Sequence, residues 1–322
     1  MGADDSAKQD RAGPATGIPG GAGDEASDAV LAALHAEPYS LCRPLRQKVP
    51  FIFASPHSGR LYPSSFVARS RLGATALRRS EDALVDDLVA AAALELGAPI
   101  IAARFPRAYL DANRAASELD PAMFVGALAT ATGLPSARVQ AGLGVIPRIV
   151  RDGADIYREK LTAEEATERL SRLYRPYHSA LLALVEQTRA AFGTAVVIDC
   201  HSMPSAAAVP DVVLGDRYGL SAASLLIQRA QEAFELRAFT VARNVPYAGG
   251  FTTQLYGRPA QGVHALQIEV SRALYLDEER ILPGPRFEEV RARLGEALSH
   301  LTAIPVAELR APRARALPWA AE

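Results

Sequence analysis

Two histidines and a glutamate stand at or near the ends of apolar runs that have the length of buried β-strands. His57 follows "FIFAS", His201 follows "AVVIDC", and Glu269 lies within "ALQIEV". In open α/β sheets, the polar groups that bind ligands gather at the carboxyl ends of the strands. Imidazole and carboxylate groups gathered there are typical of a catalytic zinc site, which uses about three nitrogen or oxygen ligands and keeps a position open for water.

A further source of carboxylates is the segment "SEDALVDDL", which opens a predicted helix after the first of these strands. Ser80 suits the N-cap position, and Glu81 and Asp82 would then lie in the first helical turn. An acid in that position either approaches a metal or simply interacts with the positive end of the helix dipole. Asp86 would lie one turn later on the same face, where it either supports a metal ligand or is solvated.

Covalent catalysis and nucleotide binding find no support in the sequence. Cys200 and His201 are adjacent on a predicted strand, so their side chains point to opposite faces and cannot readily act as nucleophile and base. The chain has no G-x-S-x-G nucleophile elbow, no complete G-x-G-x-x-G fingerprint and no G-x-x-x-x-G-K loop. Metal-assisted hydrolysis is therefore the chemistry that these residues favour.

Six apolar runs of strand length alternate with segments of helical periodicity. The runs begin at residues 50, 98, 195, 211, 238 and 265, and the helical segments at residues 82, 163, 221 and 285. Near-continuous apolar strands with helices between them predict an α/β sandwich, with helices on both faces of a mostly parallel or mixed sheet. Pro176 is expected to kink or divide the longest helix, and His178 in the same helix is expected to be a packing residue.

The domain organisation follows from length and composition. A chain of 322 residues can bury one large core or two modest ones. The first 28 residues are rich in Gly, Ala, Asp and Pro with almost nothing to bury, and they are predicted to form a disordered leader. No repeat or linker divides the remainder, so residues 29–322 are predicted to form a single catalytic domain.

The composition is that of an ordinary globular protein and limits the partners. Lysine plus arginine number 35 and aspartate plus glutamate 36, so no overall basic field attracts a nucleic acid. No apolar run reaches the roughly 18 residues of a membrane span, and the N-terminal segment lacks the apolar stretch of a secretory signal. Two cysteines are too few for a disulfide framework. We therefore expect a cytoplasmic protein with a small-molecule substrate and with neither a nucleic-acid nor a membrane partner; the oligomeric state is not predicted.

Several motifs lie between about residue 48 and about residue 283. They are "SPHSG", "DALVDDL", "YLDANR", "GVIPR", "IDCHSMPS" and the long run "YAGGFTTQLYGRPAQGVHALQIEVSRALYLDE". Together they resemble the N-formylglutamate amidohydrolase family. The resemblance implies a three-layer α/β/α sandwich around a mixed sheet, similar to the fold of the zinc carboxypeptidases and aspartoacylases.

The resemblance also implies a metal site and a catalytic residue. By resemblance, His57, Asp82 and His201 hold Zn²⁺. Glu81 is the rival of Asp82 for the carboxylate position. Glu269 resembles the general base and acid of the family, whereas the structural alternative for it is a buried ion pair with an arginine such as Arg272.

The substrate contacts are likewise implied by resemblance. Asn113 and Arg114 resemble the pair that binds the substrate carboxylate in the carboxypeptidases, and Arg107 and Arg148 are further candidates for the same role. Gln254 stands where family members dedicated to formylglutamate commonly have an arginine. With glutamine in place of that arginine, the chain lacks one fixed cation that could bind a dicarboxylate substrate.

The resemblance implies zinc-dependent hydrolysis of the amide bond of a small N-acyl amino acid. The first expectation is N-formyl-L-glutamate, which would yield formate and L-glutamate. The departure at Gln254 favours a second interpretation, another amide hydrolase acting on peptidoglycan or on a different N-acyl amino acid. A binding homologue without activity is the third, and the intact set of His57, His201 and Glu269 argues against it.

Overall fold

Strands and helices alternate along the chain in the computed structural model, which describes residues 28–128, 136–150, 153–206 and 209–311. The strands are β1 (Tyr39–Cys42), β2 (Phe51–Ser55), β3 (Ile100–Ala103), β4 (Phe124–Val125), β5 (Leu161–Thr162), β6 (Ala195–Met203), β7 (Val212–Gly215), β8 (Val241–Arg243), β9 (Val263–Ser271), β10 (Leu276–Asp277) and β11 (Leu282–Pro283). The α-helices are α1 (Ala29–Ala36), α2 (Ser64–Arg69), α3 (Ala74–Arg78), α4 (Val85–Glu95), α5 (Ala137–Gln140), α6 (Ala163–Arg169), α7 (Arg175–Phe192), α8 (Ser224–Glu235), α9 (Phe251–Tyr256) and α10 (Phe287–Thr302).

Seven of these strands form one mixed sheet in the order β1-β3-β2-β6-β9-β7-β8. The four central strands β3, β2, β6 and β9 run parallel, whereas β1 and β7 pair antiparallel with β3 and β9. The register of β6 and β9 places His201 directly beside Glu269. The six predicted strands are all present, and the sheet gains β1, which the sequence pattern did not indicate.

Helices cover both faces of the sheet, so the expected three-layer α/β/α arrangement is confirmed. Alternate residues of β2 show how one strand serves two cores: Phe51 and Phe53 belong to the core under α4, α8 and α10, and Ile52 belongs to the core under α7. All three side chains are fully buried. Each such burial contributes about 1.5–3 kcal/mol, which explains why these strands are apolar at nearly every position.

The longest predicted helix is divided, as the proline indicates. α6 ends at Arg169, a π-helical turn spans Leu170–Tyr174, and α7 begins at Arg175 with Pro176 in its first turn. Proline lacks a backbone N–H, and the π-helical turn just before Pro176 changes the regular helical hydrogen-bond pattern where that group is missing. The prediction at Pro176 is therefore confirmed.

The start of α4 differs from the sequence prediction. The helix begins at Val85, and Ser80 does not cap it. Leu84 precedes it with a left-handed backbone (φ 64°), and the N–H of Asp82 donates to the carbonyl oxygen of His57 at 3.0 Å. Placing Asp82 in the first helical turn is wrong because a tertiary hydrogen bond holds this segment against the loop that follows β2.

The first residue that the structure describes is Asp28. Its carboxylate caps α1 by accepting the N–H of Leu31 at 3.1 Å. The predicted leader, apart from Asp28, lies outside the described residues, and the single-domain assignment stays a prediction. Among the helices described, none has the length and apolar character needed to cross a bilayer.

Gly59, in the loop that carries His57, is expected to tolerate no side chain. A Cβ added there would lie 2.1 Å from the backbone carbonyl oxygen of Phe105, so Gly59→Ala should lower the free energy of unfolding by about 2 kcal/mol or more. The control is Gly295→Ala inside α10, where the nearest atom is 3.4 Å away and alanine should be neutral or stabilising by up to about 1 kcal/mol. Chemical denaturation measures both, and equal stability of the two variants would contradict the steric argument.

Candidate active site

His57, Asp82 and His201 meet at the carboxyl ends of β2 and β6. All three are buried, and one potential ligand atom from each lies within 4.8 Å of the others. Asp82 Oδ2 lies 3.2 Å from His57 Nδ1 and 2.8 Å from His201 Nδ1. Burial disfavours an ionised Asp82, but the hydrogen bonds and charges of the two histidines overcome it and hold the carboxyl pKa well below its usual range. Asp82 is therefore an anion at neutral pH.

A second carboxylate holds each histidine on its other ring nitrogen. His57 Nε2 lies 2.7 Å from Asp111 Oδ1, and His201 Nε2 lies 3.0 Å from Asp199 Oδ2. Burial opposes protonation of His201, but Asp199 and Asp82 raise its pKa well above the ordinary value. Such carboxylate–histidine pairs are typical of metal sites, where they fix the ring orientation of the ligand.

Neither of these outer carboxylates is among the sequence predictions. Asp199 could have been found, because residues two apart on a strand share a face, and His201 stands two positions later. Asp111 lies in the long segment after β3, where no periodicity marks its direction.

The structure also distinguishes the two adjacent acids. Glu81 accepts hydrogen bonds from the Tyr62 hydroxyl at 2.7 Å and from the Arg78 guanidinium at 3.0 Å and 3.1 Å. Glu81 is therefore engaged away from the histidines, and Asp82 is the acid presented to them. Asp86 pairs with Arg60 at 2.9 Å rather than with any of the predicted ligands.

Arg272 fixes the other oxygen of Asp82. Its Nη2 lies 2.9 Å from Asp82 Oδ1, and its Nε donates to the Ser202 hydroxyl at 3.0 Å. The arginine is buried and also donates to two backbone carbonyl oxygens. The buried ion pair considered for Glu269 is thus not formed, since Arg272 pairs with Asp82 and leaves Asp82 Oδ2 facing the histidines.

Glu269 lies beside this cluster with its own hydrogen-bond partner. Gln267, two residues earlier on β9, donates from Nε2 to Glu269 Oε1 at 2.8 Å and accepts the N–H of Gly250 at 2.8 Å. Burial, opposed by His201 and reinforced by Asp82, raises the pKa of Glu269 to about 7. A carboxyl group with that pKa can both accept and release a proton near neutral pH.

A cavity of about 510 Å³ opens over these groups. Its volume lies in the range of small-molecule sites, about 300–1,000 Å³. The arginines that line it are Arg79, Arg107, Arg114, Arg138 and Arg272. The predicted site residues that line it are His57, Asp82, His201, Glu269, Arg107, Asn113 and Arg114.

Asn113 is engaged within the protein. Its amide oxygen accepts the N–H of Thr252 at 2.7 Å, and its Nδ2 lies 3.3 Å from Asp199 Oδ2 and 3.1 Å from His201 Nε2. These contacts brace the pair of Asp199 and His201. A direct contact between Asn113 and a substrate carboxylate stays a prediction.

Two predicted substrate-binding residues lie outside the cavity lining. Arg148 donates to the carboxylate of Asp155 at 2.7 Å. Gln254 is exposed on α9, whereas its neighbours Thr252 and Thr253 are buried. The helical turn explains this, since it rotates successive side chains by about 100°.

The chain matches the model of the N-formylglutamate amidohydrolase family over residues 49–276. It belongs to this family of hydrolases. The N-formylglutamate deformylase of Pseudomonas aeruginosa is 30% identical over 246 residues, which are 73% of this chain and 85% of that protein. The crystal structure of N-formylglutamate amidohydrolase from Ralstonia eutropha JMP134 matches with a TM-score of 0.76 and 35% identity, over 82% of this chain and 96% of that one. The gene product Atu2144 from Agrobacterium tumefaciens shares the fold, with a TM-score of 0.59 and 17% identity over 86% and 95% of the two chains.

Behind the site, His178 of α7 supports the segment that carries Asp111 and Asn113. Its Nε2 lies 2.9 Å from the carbonyl oxygen of Ala112, and its Nδ1 lies 3.0 Å from the Tyr256 hydroxyl. The predicted packing role of His178 is therefore confirmed. Burial lowers the pKa of His178 to about 4, although the hydrogen bond to Ala112 opposes this.

His178 should make the folded state less stable in acid. Its pKa is about 4 when folded and 6.5 in the reference state, so the unfolded chain binds the proton first as the pH falls below 6.5. Between pH 7 and pH 5 this should cost about 2 kcal/mol. Urea unfolding at both pH values measures the loss, which should shrink by that amount in His178→Gln. An unchanged pH dependence in the variant would contradict a neutral, buried His178.

Metal binding by the His–Asp–His cluster is expected to depend on Asp82. Asp82→Asn keeps the shape but loses the anionic ligand, so the zinc content of purified protein should fall from about one per chain to near zero. Glu81→Gln is the matched control and should keep the metal. Elemental analysis after gel filtration gives the content, and circular dichroism confirms folding. If Glu81→Gln lost zinc and Asp82→Asn kept it, Glu81 and not Asp82 would be the metal ligand.

Proposed function

We propose that the protein is a zinc-dependent amidohydrolase that cleaves N-formyl-L-glutamate to formate and L-glutamate. One juxtaposition carries the proposal: the His–Asp–His cluster, Glu269 and cationic walls share one cavity in a chain of the N-formylglutamate amidohydrolase family. The substrate comes from the relatives, since proteins 30% and 35% identical to this chain are named for N-formylglutamate.

The donor set fits a zinc ion. His57, Asp82 and His201 would hold it, because two imidazole nitrogens and a carboxylate oxygen face one another in a buried site. Both imidazoles point Nδ1 at the same Asp82 oxygen and are anchored from behind, as metal ligands commonly are. Zn²⁺ bound there would lower the pKa of a water molecule and polarise the formyl carbonyl group.

Glu269 would transfer the proton that the reaction requires. A water oxygen forms a bond to the formyl carbon, and Glu269 accepts the proton that this water loses. The same proton then passes to the amide nitrogen as the C–N bond breaks, which releases formate and the free amine of glutamate. The hydrogen bond from Gln267 holds Glu269 Oε1 and leaves its other oxygen for this exchange.

Arginines would bind and orient the substrate. Arg107 lines the cavity and pairs with Asp111 at 3.0 Å. This ion pair weakens the attraction of Arg107 for a substrate carboxylate. Arg114 is buried and donates only to carbonyl oxygens, at 3.0 Å and 3.2 Å, among the described residues. A substrate carboxylate beside Arg114 would compensate this buried cation, so Arg114 is the first contact that we assign.

The departure at Gln254 does not favour another substrate. The Gln254 side chain is exposed and lies outside the cavity lining, so it makes no contact in the cavity that would select another substrate. The interpretation as a peptidoglycan or other amide hydrolase depended on Gln254. N-formyl-L-glutamate is therefore the substrate that we propose.

Replacing Glu269 should separate catalysis from metal binding. Glu269→Gln keeps the shape and a hydrogen bond but cannot accept a proton, so kcat should fall by about 10²- to 10⁴-fold. Zinc content and melting temperature should stay near those of the wild type. The measurement is formate release per zinc-loaded molecule, with Glu232→Gln on α8 as a surface control. A folded, zinc-loaded Glu269→Gln protein with normal kcat would remove Glu269 from the mechanism.

A further inference from the structure

Two arginines at the cavity form no direct hydrogen bond or ion pair with a carboxylate of the described residues. Arg107 and Arg272 each pair with an aspartate, at 3.0 Å and 2.9 Å. Arg114, in contrast, donates only to backbone carbonyl oxygens. Arg138 lines the same cavity, and its guanidinium forms no hydrogen bond or ion pair within the part of the chain that the structure describes.

Arg114 and Arg138 are linked through one backbone unit. Arg114 Nε donates to the carbonyl oxygen of Leu143 at 3.0 Å, and the N–H of Leu143 donates to the carbonyl oxygen of Arg138 at 2.8 Å. The two cations are close enough to act on each other: burial lowers the pKa of Arg114, the charge of Asp111 opposes this, and the charges of Arg107 and Arg138 lower it further. Arg114 and Arg138 are therefore cations at one cavity that no carboxylate of the described residues contacts directly.

We propose that Arg114 and Arg138 bind the two carboxylates of a dicarboxylic N-acyl amino acid, and that Arg138 selects the side-chain carboxylate. The inference rests on the proposed function and assigns its specificity to a residue that the sequence motifs do not indicate. Two carboxylates placed between two unpaired guanidinium groups offset their mutual repulsion. A neutral side chain would leave Arg138 without this partner.

Position decides which arginine takes which carboxylate. Arg114 is buried, and its charge acts on Asp111, which contacts His57 at 2.7 Å, so Arg114 is close to the reacting centre. Arg138 is exposed on α5, at the rim of the cavity. The α-carboxylate, common to all N-acyl amino acids, suits Arg114, and the more distant side-chain carboxylate suits Arg138.

The test compares N-formyl-L-glutamate with N-formyl-L-glutamine, which has the same shape and no side-chain charge. The wild type should favour the glutamate substrate in kcat/KM by about 10- to 100-fold, the range of one charged hydrogen-bonding contact. Arg138→Gln should lose that preference and keep its activity on the glutamine substrate within about two-fold. Arg114→Gln should lower kcat/KM for both substrates by similar factors.

The control is Arg229→Gln, which removes one guanidinium from an exposed ion pair with Glu232 on α8. This variant should leave kcat/KM for both substrates unchanged. Melting curves confirm that each variant folds. Two results would overturn the role of Arg138 and leave the proposed function intact. One is a wild type that releases formate from N-formyl-L-glutamate but does not prefer it to the glutamine substrate. The other is an Arg138→Gln variant in which kcat/KM falls equally for both substrates.

A binding measurement judges Arg138 independently of turnover. Calorimetry with L-glutamate and L-glutamine should show that the wild type prefers glutamate and that Arg138→Gln does not. Equal affinities in the wild type would overturn the inference even if the enzyme were active. Absence of formate release from either substrate, together with an Arg138-dependent preference for glutamate, would instead refute the proposed function and support the dicarboxylate site.

Discussion

The carboxylate of Asp82 has lost nearly all contact with water, and a buried anion costs several kcal/mol unless charges and hydrogen bonds compensate it. His57 and His201 approach one oxygen, and Arg272 approaches the other. A further carboxylate behind each histidine keeps its ring in place. Each of these charged groups compensates the charge of its neighbours, so the cluster is held in one geometry. The cavity opens beside this cluster.

Much of this arrangement could be predicted from local sequence patterns. Strands in the interior of the sheet are apolar at most positions, and six of the seven strands of the main sheet were recognisable as apolar runs. The rule that ligands gather at strand ends then selected His57, His201 and Glu269, and the structure brings them to one cavity. Strand β1 was not predicted because its four residues are alternately half-buried and exposed and form no apolar run.

The remainder depends on contacts between distant parts of the chain. Strand β9 follows β7 and β8 in sequence but lies between β6 and β7, and no local pattern indicates the register that sets His201 beside Glu269. Arg138 lies on α5, which has only four residues, and so short a helix leaves no periodicity in the sequence from which the direction of a side chain could be predicted. The delayed start of α4 likewise reflects the tertiary hydrogen bond between Asp82 and His57, which prevails over local capping preference.

The central claim is that the His–Asp–His cluster holds a catalytic metal for deformylation of N-formyl-L-glutamate. Its most direct test is formate release by protein that has been stripped with a chelator and then reloaded with zinc. We expect turnover to fall by at least about 100-fold on stripping and to return when about one zinc per chain is restored. Undiminished formate release by the metal-free protein would contradict the claim.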